Sequence, residues 1–306
     1  TRTLGILISI WTLWQKNILD FWSLVFDMGL GGYLTWTAVA REISNKLSNE
    51  FKILPCEGDG KNITKIVKSE VFKYNPTFSD GSEPDETKVF PLFLNNPETN
   101  YCKSDTPHRA FHRTDKHIIE QICEHYKIEN PDLRCEMYFS EDERRLSEQL
   151  SSQLEEDFIV IEPHSKDNYT PNRAYPFANW QKLVDKLGKN IQVVQVGLSN
   201  SPVLDHVVDF RGKTSFRSAT LLIEKARLLM STEGGLVHAA TAVDTTSLVV
   251  ITGYQTVKMV AYPQNINVYI GSHGPCGLKI PCLDCKRDSA KHNYEEIHEK
   301  VVDFLT

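Results

Sequence analysis

The sequence lacks a hydrophobic run long enough to cross a bilayer as a helix. Its near-continuous apolar stretch Leu4–Trp14 (LGILISIWTLW) is 11 residues long, against about 20 for a span. Gln15, Lys16 and Asn17 end it, and no small-residue cleavage site of the A-x-A kind follows. A buried helix, an interfacial anchor and a signal-anchor remnant all remain open for that stretch. The chain also lacks a basic excess: its formal net charge is -6, which argues against nucleic acid as a partner, although a local basic patch passes that test. Seven cysteines in 306 residues are too few for a secreted disulfide scaffold, and the number is odd, so a reducing cytoplasm is expected. No G-x-G-x-x-G with an acid about 20 residues on is present, which disfavours a dinucleotide-dependent oxidoreductase. No internal repeat is visible.

A hydrophobic fraction of 41% and a charged fraction of 24% are those of a globular chain. Its length suggests two domains, at about 150 residues each. Phe21–Met28 reads as a strand, Met28–Gly32 (MGLGG) as a tight turn, and Tyr33–Leu47 as a helix with Leu34, Ala38, Val39, Ile43 and Leu47 at helical spacing. Further strands are expected at Phe51–Pro55 and Lys88–Leu94, a loop at Asn75–Asp85, and helices at Asp115–Tyr126 and Glu141–Asp157. The second half alternates strands (158–161, 191–196, 207–210, 228–231, 247–251, 266–270) with helices (177–187, 215–226, 236–242), and ends in a helix over 294–305. That alternation implies βαβ units and a parallel sheet. The boundary falls near Leu150. It divides an N-terminal domain, 1–150, from a C-terminal domain, 151–306, whose last helix is a candidate to pack back on the first domain.

Ligands in parallel α/β sheets bind at the carboxyl ends of strands. Three segments qualify. Gly29-x-Gly31-Gly32 lets backbone approach a ligand at a helix N-terminus, or simply makes a tight corner. Glu162–Ser165, continuing to Trp180, supplies Ser165, Lys166 and Arg173, whose guanidinium is a planar multi-donor fork for phosphate oxygens, or else forms an ordinary solvated loop. Ser231–Ala240 again ends a strand in a glycine turn that opens a helix. Glu233 can accept from ribose hydroxyls, the Gly234 and Gly235 amides can meet a pyrophosphate, and His238 faces either the ligand or the sheet. A fourth group, His273, Cys276, Cys282 and Cys285, forms H-x2-C-x5-C-x2-C, a tetrahedral zinc-type ligand set, with free buried thiols as the plain alternative and a disulfide disfavoured in a reducing cytosol.

STEGGLVHAATAVDTTSLVVITG (231–253) resembles the signature of glycosyltransferase family 9, the ADP-heptose:lipopolysaccharide heptosyltransferase family. VVDFRGKTSFRSATLLIEKARLLMST, FIVIEPHS…YPFANWQKLVDKL and FDMGLGGYLTWTAVAREI resemble three further family stretches, so that the likeness spans about residues 21–260. The resemblance implies a GT-B fold, with two Rossmann-like domains facing across a cleft. A nucleotide-sugar donor would lie mainly on the C-terminal domain (Ser165, Lys166, Arg173, Thr232, Glu233, Gly234, Gly235, His238), and the acceptor on the N-terminal side (Gly31, Gly32, Arg109). It implies an inverting bacterial enzyme of lipopolysaccharide-type glycan assembly, cytoplasmic or peripheral on the inner membrane face, that needs no metal for catalysis. Some relatives hold iron through cysteines. The family's base is the Asp closing G-L-G-D, and here that position is Gly32. Three explanations stay open: Asp27 serves instead; a group from the 105–115 segment does (Asp105, Asp115, His108, His112); or the chain binds a sugar nucleotide without turning it over. The family Lys before Trp is absent, and Arg173 is its substitute.

Overall fold

The structure is a computed structural model that describes residues 29–83, 88–95, 108–111, 113–164 and 169–306. The apolar stretch 4–14, the strand expected over 21–28, Asp27, Asp105, His112, Ser165 and Lys166 lie outside them.

The described chain opens with helix α1 (Leu30–Lys46), which starts from an extended Gly29 with no side-chain cap. Leu34 through Ala40 are buried without a break, because other helices cover more than one face of α1. Ser48 and Asn49, both left-handed, carry the chain out of it. Strand β1 (Lys52–Gly58) pairs antiparallel with β2 (Ile63–Ile66) and parallel with β3 (Val89–Phe93), in the order β2-β1-β3. The antiparallel β2 was not expected. It is fully exposed, so its sequence shows no buried face to read. Helix α2 (Ile118–His125) begins with a capping box between His117 and Glu120, and α3 (Glu141–Ser151) with one between Ser140 and Glu143. The helix expected to reach Asp157 ends at Ser151, six residues earlier.

The second half is a six-stranded all-parallel sheet, β4 (Phe158–Glu162), β5 (Gln192–Gln195), β6 (Val208–Asp209), β7 (Leu228–Thr232), β8 (Ser247–Ile251) and β9 (Ile266–Tyr269), in the order β6-β5-β4-β7-β8-β9. The crossovers carry α4 (Phe177–Leu187), α5 (Phe216–Lys225), α6 (Gly235–Ala242) and the single turn α7 (Val257–Val260). Helices α8 (Leu283–Lys291) and α9 (Tyr294–Leu305) close the chain. Alternate strand residues feed opposite cores. Ile159, Ile161, Leu228, Met230, Leu248 and Val250 pack with Trp180, Leu183 and Ile297 under α4 and α9. Val160, Leu229 and Val249 pack with Leu222, Ala239 and α1 on the other face. Burial on both faces explains why these strands read as continuous apolar runs. Helix α9 packs on α4, through Ile297 and Val301.

The two halves meet where α1 crosses α6. A Cβ on Gly31 would lie 2.7 Å from the Gly235 Cα, a backbone atom that cannot give way. Gly29, with nothing within 4 Å of the same construction, is the control. Gly31→Ala is expected to cost about 1–3 kcal/mol in urea unfolding, and Gly29→Ala less than about 1 kcal/mol. Equal losses would mean that the close approach of the helices does not matter.

Candidate functional site

The strand order places a topological switch between β4 and β7, since the chain leaves β4 towards β5 on one side and returns to β7 on the other. In open parallel sheets the ligand crevice lies beyond the carboxyl ends of the strands at that point. Glu162 ends β4 opposite Ser231 of β7, and Thr232, Glu233 and Gly234 follow. A helical turn, Pro171–Arg173, brings Arg173 over the same edge.

Arg173 and Glu233 form the centre. The guanidinium donates to Glu233 Oε1 at 3.1 Å and to Oε2 at 3.3 Å, with both side chains 12% exposed. The Arg173 guanidinium also lies over the rings of Tyr169 (5.1 Å) and Tyr254 (5.9 Å). Gln255, with its amide oriented to satisfy the network, donates to both Glu233 oxygens at 2.9 and 3.0 Å. Burial opposes the charge on Arg173, but Glu233 and the two tyrosines hold its pKa above the ordinary value. Burial also pushes the Glu162 carboxyl up to about 7, against the opposing pull of Arg173. Two buried polar atoms here, Arg173 Nε and Thr232 Oγ1, have no hydrogen-bond partner among the described residues. Helix α6 starts from an extended Gly234 with no side-chain cap, beside the carboxyl end of β7, so no capping side chain takes up its first amides. A cation, hydroxyls and uncapped amides at one strand edge are donors of the kind that hold phosphate and ribose oxygens.

Other residues singled out by sequence fall elsewhere. His238 points from α6 into the junction with the N-terminal half. Its Nδ1 meets the Tyr262 hydroxyl at 2.6 Å, and burial, with the Arg173 cation, lowers its pKa to about 4. Gly31 lies against Gly235. Gly32 sits in the first turn of α1 and accepts from Thr35 Oγ1. His108, Arg109 and Ala110 run antiparallel to the cysteine loop: Lys279 N donates to His108 O, Ala110 N donates to Gly277 O, and Arg109 bridges Leu278. Asp115, largely exposed, is held by two bonds from Arg113, which lower its pKa.

The cysteine cluster is assembled. His273, Cys282 and Cys285 bring their ligand atoms within 4.8 Å of one another. Cys276 Sγ lies 3.4 Å from Cys285 Sγ, and His273 Nε2 lies 3.7 Å from it. Four ligands on bonds of about 2.0–2.3 Å would sit about 3.3–3.8 Å apart in a tetrahedron, the range in which the two distances to Cys285 Sγ fall. Asp288 accepts from Ser272 and meets His273 Nδ1 at 3.0 Å, fixing the ring with Nε2 towards the thiols. Cys282 is the N-cap of α8 and Cys285 lies in its first turn. The group can therefore hold a metal ion.

Sequence reading missed Gln255, Asn172 and Asp288. Each acts through a partner at a distant position, and nothing in its own neighbourhood advertises that.

Residues 108–286 match the profile described as glycosyltransferase family 9 (heptosyltransferase). The chain is similar in fold to a glycosyl transferase family 9 structure from Veillonella parvula (11% identity, 92% of this chain and 95% of that one, TM-score 0.63). It is similar to the iron-containing dodecameric glycosyltransferase TibC from enterotoxigenic E. coli (13%, 91% and 75%, TM-score 0.62), and TibC has also been solved with ADP-D-β-D-heptose. A third likeness is to E. coli ADP-heptose lipopolysaccharide heptosyltransferase II (12%, 90% and 96%, TM-score 0.59). A search of curated proteins finds no match to this sequence. At these identities the likeness is one of fold, and the α/β architecture is of the GT-B type.

Proposed function

Because the chain belongs to glycosyltransferase family 9, we propose that it is an inverting glycosyltransferase taking a sugar, a heptose first, from a nucleoside-diphosphate donor to a glycan or lipopolysaccharide-type acceptor. The observation that carries this reading is the Arg173–Glu233–Gln255 group beside the uncapped start of α6. Solved neighbours that hold ADP-heptose support a nucleotide-sugar donor. Arg173, the Gly234 and Gly235 amides, and Ser165 and Lys166 receive the diphosphate. Thr232 and Glu233 meet hydroxyls of the donor, and His238 backs the pocket. Gly31, Gly32 and Arg109 border the acceptor. An acceptor hydroxyl attacks the anomeric carbon, the bond to the diphosphate oxygen breaks, and the hydroxyl proton passes to a base drawn from Asp27, Asp105, His108, His112 or Asp115. Fixed donors neutralise the leaving diphosphate without a catalytic metal. The domains divide near Leu150, with the donor on 151–306.

The second reading, a sugar-nucleotide binder without turnover, is favoured by one observation: Gly32 offers no carboxylate in the first turn of α1. Both readings predict nucleotide binding. ADP, GDP or UDP at 100 times its dissociation constant is expected to stabilise the protein by about 2.7 kcal/mol, and Arg173→Ala to abolish the shift. A melting curve unmoved by every nucleotide rejects both. Release of free sugar or transfer from a radiolabelled donor then separates them.

We also propose a structural zinc or iron held by His273, Cys276, Cys282 and Cys285. It would supply a cross-link between the cysteine loop and α8, and no bond-making step passes through it. Purified protein is expected to carry about one equivalent of metal for one four-ligand site. Below about a tenth of an equivalent in elemental analysis, with none taken up on reconstitution, the site is not a metal site. Among the described residues no helix is long and apolar enough to cross a membrane. A cytoplasmic placement with peripheral membrane contact belongs to this proposal, as does a bacterial setting.

A further inference from the structure

The residue next to Arg173 is bonded on every side to the loop that carries the cysteines. Asn172 is buried, and its amide Nδ2 donates to Leu278 O and to Ile280 O, each at 2.8 Å. Its Oδ1 accepts from Cys282 N at 2.8 Å, and its carbonyl accepts from Thr252 Oγ1 at 2.7 Å. All three side-chain bonds fall between Cys276 and Cys282, so one amide spans the interval that separates two of the cluster thiols. Thr170 Oγ1 adds a bond to Leu278 O and also accepts from Asn172 N, closing the turn from which Arg173 projects.

The same loop holds the far side of the Glu233 pocket. Cys276 N donates to Gly253 O at 2.9 Å and Gly277 N to Tyr254 O at 3.0 Å. Tyr254 is the ring under the guanidinium and Gln255 is the second holder of Glu233. The two side chains that grip Glu233 are therefore both rooted on one loop, whose ends are fixed where Cys276, Cys282 and Cys285 converge. A loop hydrogen-bonded through main-chain groups transmits a change of its ends, because those bonds are directional and a buried amide left unpaired is costly.

We propose that Asn172 is a positioning residue that couples the thiol–imidazole cluster to Arg173, so that the integrity of the cluster sets where the guanidinium stands. The proposal rests on the reading of Arg173 as a phosphate-facing group. Losing the cluster frees residues 278–282, the amide of Asn172 loses its fixed acceptors, and Arg173 loses its aim towards the crevice. A role confined to stability would lower the melting temperature without linking two distant sites.

The test is a double-mutant cycle on the full chain with Cys285→Ala and Asn172→Ala. Cys285→Ala is expected to raise deuterium uptake of peptides over 169–175 and over 252–256. With Asn172→Ala already present, the rise over 169–175 disappears while that over 252–256 persists, because those residues meet the loop by their own carbonyls. For ADP measured by titration calorimetry, each single variant is expected to weaken binding about tenfold, and the double variant about tenfold rather than about a hundredfold. Losses that multiply, or a 169–175 segment indifferent to Cys285→Ala, overturn the proposal. Asn172→Ser, which removes the bonds to Leu278 O and Ile280 O without placing a charge against them, and Cys276→Ser replace either variant that fails to fold. Should wild-type protein bind none of ADP, GDP and UDP, the donor-site reading fails, while the exchange data still decide the coupling; if GDP or UDP binds instead, that nucleotide replaces ADP in the cycle.

Discussion

Replacing Arg217 with alanine is expected to destabilise the protein by about 3–5 kcal/mol, the range for stripping one partner from a buried, hydrogen-bonded ion pair. Arg217 projects from α5 and is 4% exposed, and its Nε and Nη2 form a fork on Glu143 at 2.5 and 2.8 Å. Nη1 donates to Glu70 O and Nη2 to Tyr138 O. The guanidinium lies over the Phe139 ring, 4.8 Å from its centre, and over that of Tyr74 at 5.6 Å. One side chain of the second half thus holds three segments of the first. Alanine would strip both guanidinium bonds from the Glu143 carboxylate, which keeps only those from Ser140, and would remove the Arg217 donors to two carbonyls. Arg217→Lys keeps the charge but not the planar fork, and is expected to recover only part of the loss, leaving about 1–3 kcal/mol. Glu143 gives a second reading of the same contact. The bonds from Arg217 hold its pKa down to about 2. A carboxyl so depressed contributes stability that is present above its unfolded value near 4.5 and lost as pH falls towards 2. Urea unfolding of the three proteins at neutral pH checks the ranking. Equal stability of wild type and alanine variant would remove Arg217 from any role in joining the halves.

Mild acid is expected to attack a different junction. His117 and His238 flank Tyr262 between α2 and α6, with ring centres 4.8 and 5.7 Å from the tyrosine ring. Burial is the first cause of both shifts. It lowers His117 to about 3, helped by His238, and His238 to about 4, helped by the Arg173 cation. A neutral buried imidazole takes up a proton more readily once unfolded, so its contribution is fully present above the unfolded pKa near 6.5 and declines as pH falls through the interval down to the folded value. By pH 5 each histidine accounts for about 2 kcal/mol of lost stability, and the pair for about 4 kcal/mol. Glu162 works in the opposite sense, since a carboxyl raised to about 7 is relieved of its burial cost as pH falls from 7 to 5. The measurement is therefore a difference between proteins. The change in unfolding free energy from pH 7 to pH 5 should shrink by about 4 kcal/mol in a His117→Asn, His238→Gln double variant. Asparagine preserves the N-cap of α2, which His117 Nδ1 now supplies to Ile119 N. An unchanged pH dependence would mean that the two rings protonate freely in the folded protein.

Much of this architecture was legible from the order of residues, and the parts that were not share one property. The β-branched runs at 158–161 and 247–251, the helix at 177–187 and the final helix at 294–305 follow from local periodicity, and each appears at or within a residue of the expected bounds. Strand β2 and helix α8 did not announce themselves. Exposure deprives β2 of an apolar face, and α8 has only Cys285, Asp288 and Ser289 buried, so no apolar stripe marks it. The glycine turn before α6 and the cysteine spacing were visible as patterns, because backbone approach and thiol ligation each require particular residue types close together in the chain.

What the sequence determined alone is the set of local conformations and the kinds of chemistry at hand: a parallel sheet buried on both faces, a guanidinium, a carboxylate and uncapped amides after strand ends, and thiols in register for one ion. Only the tertiary structure decided which of these meet. It paired Arg173 with Glu233 across 60 positions, turned His238 towards Tyr262, and tied Asn172 to residues more than 100 positions away. The physical reason is range. Periodicity, capping and propensity act over a few residues, whereas a buried charge or amide must find its partner wherever packing brings one, and that partner leaves no mark on the sequence beside it.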